Sequence, residues 1–252
     1  MMNDLLTFGE PNSKLKKMLK KLSLKLKTFT LPAGHTCPGA KDCVSRANRE
    51  TGKIQDGPDT EFRCFAASAE ATYPSLRKMV WRNLELLRAA LKKDFKAGFE
   101  NSPHTADLIH KSLPKKFDIM RVHVGGDYFT KEYLQAWIEV AKRNPDKIFY
   151  SYSKSLHLFR QFALPENLVL TASRGGKYDE LIDLNGWKEA LVVYSEQEAI
   201  DKGLEIDHDD THAAFGKENF ALLIHGTQPK GSLASQALQA IKKANKNVTA
   251  NA

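Results

Sequence analysis

The sequence predicts an α/β protein with a mostly parallel sheet of about five or six strands, either a partial (β/α) barrel or an open doubly wound sheet. Two observations carry this. From residue 117 onward, short apolar runs alternate with helical patterns five times, the signature of parallel strands joined by right-handed crossovers. The chain, at 252 residues, is long enough to bury the core such a sheet needs.

The elements follow in order. Residues 1–21 form a polar, lysine-rich N-terminal arm, with a short helix over Lys14–Leu22. Leu22, Leu24 and Leu26 then alternate with Ser23, Lys25 and Lys27; this period of two predicts a strand reaching Leu31. Pro32-Ala33-Gly34 ends it. A loop-like stretch follows, punctuated by Gly39, Gly52 and Gly57-Pro58, with its tip at Glu50–Lys53. Ala66, Ala67, Ala69 and Ala71 predict a tightly packed helix that starts near Cys64. Pro74 suits the first turn of a long helix, whose apolar stripe is Leu76, Val80, Leu84, Leu87, Leu91 and Phe95. A shorter helix spans Thr105–Ser112.

The alternating region then supplies strands at Phe117–Val124, Lys147–Tyr152, Asn167–Ala172, Ala190–Tyr194 and Phe220–His225. Thr130 caps a helix that buries Tyr133, Leu134, Trp137, Ile138 and Ala141. A short helix lies near Leu156–Phe162. Ser195-Glu196-Gln197-Glu198 has capping-box spacing. Ser232 caps a last helix with Leu233, Ala237, Leu238 and Ile241 inward. Residues 22–244 thus form one α/β domain, with a cysteine loop at 35–70 and a disordered tail at 245–252.

Apolar content of 42% and charged content of 27% are ordinary for a globular protein. No run of about 18 apolar residues exists, which excludes a spanning helix. The first residues lack the apolar core of a signal peptide, which predicts a cytoplasmic protein. The net charge of +8 is concentrated in Lys14, Lys16, Lys17, Lys20, Lys21, Lys25 and Lys27, which have no acidic residue between them. Such an arm either attracts nucleic acid or is simply solvated; no aromatic platform for bases is interleaved with it.

The chemistry collects in two places. Cys37, Cys43 and Cys64 are the only cysteines, spaced Cys-x5-Cys-x20-Cys. Three cysteines in a cytoplasmic chain argue against a disulfide framework, and Cys37 and Cys43 lie in a Gly/Pro-containing polar loop, not on an apolar face. Three thiolates suit a [4Fe–4S] cluster with one iron left open. Zinc is the alternative, with His35 as the fourth ligand.

The second place is the carboxyl ends of the strands, where parallel α/β folds bind ligands. These ends are polar or glycine-rich: His123 to Asp127, Tyr150 to Lys154, Thr171 to Gly176, Tyr194 to Glu196 and His225 to Gln228. Gly125, Gly126, Asp127, Ser173 and Arg174 are the candidate cofactor-binding residues, with Lys154 beside them. This set suits a zwitterionic or phosphate-bearing small molecule. His123 reads equally as a hydrogen-bonded core histidine. The run from His208 to His212 reads as a metal cluster or as a solvated helix start. No catalytic residue is assigned.

Four stretches, LPAGHTCPGAKDC at 31–43, FRCFAASAE at 62–70, RVHVGGDYF at 121–129 and LTASRGG at 170–176, resemble the bacteriophage gene product 88 family of uncharacterised proteins. The likeness spans roughly residues 20–240 and implies a phage protein acting in the host cell. The layout is also similar, distantly, to that of radical S-adenosylmethionine enzymes. That likeness implies Cys37, Cys43 and Cys64 as cluster ligands, Gly125, Gly126 and Asp127 at the glycine-glycine-acid position, and S-adenosylmethionine as a second cofactor. The radical enzymes space their cysteines Cys-x3-Cys-x2-Cys, whereas the last gap here is 20 residues.

Two functions follow as expectations. The first is a phage iron–sulfur protein with a radical-enzyme-like fold that binds a small molecule at its open iron. The second is a nucleic-acid-binding phage protein whose zinc or cluster is structural and whose lysine-rich arm does the binding. A host protein as partner is a third reading, which no residue selects.

Overall fold

The computed structural model describes residues 4–99 and 101–250. Helix α1 (Ser13–Leu22) precedes β1 (Leu26–Thr28), and a hairpin of β2 (Ser45–Ala47) and β3 (Ile54–Asp56) follows. Three helices come next, α2 (Phe65–Thr72), α3 (Pro74–Lys96) and α4 (Pro103–Ser112). The chain then alternates through β4 (Ile119–Arg121), α5 (Lys131–Lys142), β5 (Ile148–Ser153), α6 (Leu156–Phe159), β6 (Leu168–Ser173), α7 (Glu180–Asn185), β7 (Glu189–Val193) and α8 (Glu196–Asp201). It ends with β8 (Glu205–Ile206), α9 (Thr211–Phe215), β9 (Phe220–Leu223) and α10 (Leu233–Ala250).

Seven strands form one all-parallel sheet in the order β1-β4-β5-β6-β7-β9-β8. The sheet curls into a half-barrel, which decides between the two architectures left open by the sequence. Side chains alternate across it, as strand geometry requires. Phe149 of β5 faces outward into the larger core, with Trp137 and Tyr133 of α5 and Leu84 and Leu87 of α3. Tyr150 faces inward, with Ile119, Phe220, and Ala213 and Ala214 of α9.

The lysine-rich arm is part of that inner layer. Leu15 and Met18, one turn apart on α1, are fully buried against Leu26 and Tyr150. The Asn12 side chain accepts from the Leu15 amide and caps the helix. Ser23, in left-handed conformation, ends it. The expected strand over 22–31 is therefore only three residues long, because Leu22 is spent on the helix.

Other differences have local causes. Phe95 ends the predicted apolar stripe but is 86% exposed, because Asp94 beside it turns inward to accept from His104 and Thr105 at the start of α4. Leu233 is 77% exposed, and Ala234 is buried in its place. The expected disordered tail is helical backbone as far as Ala250; residues 251–252 lie outside the described residues. No helix among the described residues is long and apolar enough to cross a membrane.

Candidate functional site

The loop carrying Cys37 and Cys43 lies across the carboxyl ends of the strands. Its contacts explain the glycines. A Cβ on Gly39 would lie 1.9 Å from the Lys154 carbonyl oxygen at the end of β5. One on Gly126 would meet Thr36 Oγ1 at 2.5 Å, and one on Gly125 would meet Ala66 Cβ at 2.7 Å. After β6, Gly175 accepts from the Asp42 amide (3.1 Å), and Gly39 accepts from the Lys177 amide (2.8 Å). Gly126, Gly175 and Gly176 thus admit Thr36, Asp42 and Gly39 of the cysteine loop, and Gly125 admits Ala66 of α2, so the close approach these glycines permit is to the protein's own chain.

Cys64 reaches the same place from the other side. Ser45 of β2 accepts from the Cys64 amide at 3.3 Å and donates to Asp56 at 2.8 Å. Asp56 also pairs with Arg63. From beyond β9, Gln228 accepts from the Arg63 amide (2.8 Å) and donates to the Arg63 carbonyl (3.2 Å). Cys64 occupies the N-cap position of α2.

The three thiols, all half-buried, share one environment. Burial pushes the Cys37 thiol well up, and charge on Asp127, Cys64 and Cys43 pushes it further. Burial pushes Cys64 up to about 12, and charge on Cys43 adds to this. Burial likewise raises Cys43, against which the Lys154 ammonium acts. Each pair of cysteines is therefore close enough for ionisation of one to oppose ionisation of the other. Backbone amides also face the sulfurs. Gly34 donates to Cys37 Sγ at 3.3 Å. The Ala66 and Ala67 amides, free at the start of α2, favour the Cys64 thiolate without forming a full capping hydrogen bond.

The other candidates form the wall around this loop. Asp127, 4% exposed, accepts from the Tyr128 amide, Ser153 Oγ, and the Lys154 and Ser155 amides at 2.7–3.1 Å. It clasps the ends of β4 and β5 together; burial raises its carboxyl and these bonds pull against that. Lys154, also buried, donates from Nζ to Ser173 Oγ at 2.9 Å and to the Ser173 and Arg174 carbonyls. Arg174 turns away to Glu189 (2.5 Å) and Asp183 (3.3 Å), so its charge is already answered by carboxylates.

His35 does not join the cysteines. Its Nε2 lies 3.1 Å from the Ala47 carbonyl and its ring packs edge-on against Trp81. No group of three or more His, Cys, Asp or Glu among the described residues is arranged to hold a metal ion, and this covers the run from His208 to His212. There, Asp207 accepts from the Asp209 and Asp210 amides, and Asp210 enters the half-barrel. Its Oδ2 pairs with Arg121 at 2.6 Å and its Oδ1 with Lys14 of α1 at 2.8 Å. Tyr150 and Tyr152 also donate to it. This network gives no signal in the sequence, because its members come from segments far apart along the chain.

His123 is a core histidine. It is 3% exposed, lies 2.9 Å from the Tyr133 hydroxyl and packs edge-on against Tyr128. Burial lowers its pKa from 6.5 to about 3. The folded protein thus rejects a proton that the unfolded chain takes up. The stability carried by this difference is complete above pH 6.5 and is lost as pH falls toward about 3. Between pH 6.5 and about 5 the loss is about 2 kcal/mol. Urea midpoints compared across this range should fall less in His123→Asn, which keeps the tolerance for positive φ. An unchanged acid slope in the variant would contradict a neutral His123.

With this geometry in place, comparison with known proteins gives one family. The family model for Gene product 88 matches residues 3–248. The chain belongs to the gene product 88 family. Two relatives are each named Gene 88 protein. The one from Mycobacterium phage L5 is 29% identical over 163 residues, and the one from Mycobacterium phage D29 is 26% identical over 168 residues. In each case the match spans 62% of this chain and 60% of the relative. No solved structure matches, and the likeness to radical S-adenosylmethionine enzymes finds no support in these comparisons.

Proposed function

We propose that this gene product 88 protein binds an iron–sulfur cluster through Cys37, Cys43 and Cys64, at the carboxyl mouth of the half-barrel. One observation carries the reading: the chain's three cysteines, brought in by two separate loops, share one electrostatic environment above the strand ends. Amides aimed at Cys37 and Cys64, and the Lys154 ammonium near Cys43, pull toward the thiolate against the burial that raises all three thiols, and these are the groups that would support thiolates bound to a cluster.

His35, the fourth ligand that zinc would need, is engaged with the Ala47 carbonyl, whereas a four-iron cluster would need only the three thiolates. With three protein thiolates its fourth iron stays open to a small molecule, for which S-adenosylmethionine is the first candidate to titrate. In this reading Gly126 seats the cysteine loop and Gly125 seats Ala66 of α2, while Asp127 and Ser173, with Lys154, hold the wall beside the loop.

Replacing Cys37, Cys43 or Cys64 by alanine, one at a time, should each remove most of the bound iron and acid-labile sulfide while leaving the circular dichroism of the fold in place. Iron content unchanged in all three variants would overturn the proposal.

A further inference from the structure

A cleft of about 440 Å³ opens on the solvent side of Cys37. Four cations line it, each from a different segment: Lys41 from the cysteine loop, Arg46 from β2, Arg88 from α3 and Lys177 from the turn after β6. Asp59 is the single carboxylate in the lining. None of the four cations forms an ion pair among the described residues. Arg46 spends only Nε, on the Gly34 carbonyl, and Lys177 donates to the Pro38 carbonyl. Lys41 and Arg88 make no side-chain hydrogen bond there.

What sets the four apart is that they converge on one concavity: Lys16, Lys17 and Lys20 of α1 also meet no carboxylate among the described residues, but they lie exposed along a helix surface. Four like charges gathered around one concavity repel each other, and an anionic ligand relieves that repulsion. Two guanidinium groups add forked donors that match phosphate oxygens. Phe129, half-buried and stacked on Tyr133 at 4.6 Å, puts an aromatic ring in the lining, a residue type that bases pack against. The volume falls in the range of ligand pockets.

We infer that this cleft binds a phosphate-bearing ligand of nucleotide type, either a free nucleotide or a single strand of nucleic acid. The inference goes beyond the cluster reading and stands without it. It also moves the site of polyanion attraction away from the lysine-rich arm to the mouth beside Cys37.

The test is a titration of the full-length protein with a labelled single-stranded DNA oligonucleotide and, separately, with dATP. The Lys41→Gln/Arg88→Gln double variant removes two cations that hold no structure. The control is Lys16→Gln/Lys17→Gln, which makes the same charge change on the exposed side of α1. The cleft variant should weaken binding about tenfold or more, and the control by less than about twofold. For the strand, the cleft variant should also flatten the salt dependence between about 50 and about 200 mM. Binding of the oligonucleotide alone assigns a strand; comparable affinity for dATP assigns the nucleotide. Absence of binding by both probes, or equal weakening by both double variants, would overturn the inference.

Discussion

Gly39→Ala is expected to empty the cysteine site while the half-barrel stays folded. The added methyl would lie 1.9 Å from the Lys154 carbonyl oxygen, 2.4 Å from its carbon and 2.8 Å from the Ser155 amide nitrogen. All three are backbone atoms at the end of β5, held by Asp127, so no flexible side chain can yield. The loop must lift instead, and Cys37 and Cys43 move with it. Overpacking of this kind costs about 1–3 kcal/mol, too little to unfold a typical domain but enough to misplace ligands that must converge on one cluster. Iron per chain should fall severalfold, with a modest drop in the urea midpoint. Gly98→Ala is the control: its added methyl would meet nothing within 4 Å, and only its positive φ is strained. Full iron content in Gly39→Ala would show that seating of the loop does not set the site.

Asp210→Ala should produce the largest loss of stability. The carboxylate is fully buried and ties Arg121 of β4 to Lys14 of α1. Burial raises its pKa, but the Arg121 and Lys14 charges outweigh this and hold it below the ordinary value. Removing it leaves the nearly buried Arg121 guanidinium without a counter-charge, at a cost of about 3–5 kcal/mol. Asp210 also has a φ of 68°, which asparagine tolerates better than alanine. Asp210→Asn therefore isolates the charge, and should be destabilised less than Asp210→Ala. Replacing both partners, as Asp210→Asn with Arg121→Met, should recover part of the loss, since a buried pair is costly mainly when broken. Urea unfolding of the four proteins checks this. Equal stability of Asp210→Ala and the parent would contradict the proposed bracing of α1 in the half-barrel.

How much of this was legible in the sequence depended on range. The five later strands buried in the sheet read directly as apolar runs, because both faces of a parallel sheet are covered. Thr130 and Ser195 announced their helices by local capping bonds that the structure forms. The hairpin was illegible: Ser45-Arg46-Ala47 and Ile54-Gln55-Asp56 are too short and polar to show alternation. The docking of α1 was hidden because its lysine run masks the Leu15 and Met18 pair, whose partners lie on distant strands. The cysteines and strand-end glycines were visible as types, but their relation was not. Pairing Gly39 with Lys154, or Gly175 with Asp42, needs the curl of the sheet. The cleft cations Lys41, Arg46, Arg88 and Lys177 share no motif and meet only in three dimensions.

The most direct measurement is iron and acid-labile sulfide analysis, with an absorption spectrum, of the protein isolated without oxygen. About four irons and four sulfides per chain, with a broad visible charge-transfer band, is the predicted result for three thiolates around a [4Fe–4S] cluster. A colourless protein carrying about one zinc ion per chain, or no metal at all after reconstitution with iron and sulfide, would contradict the account.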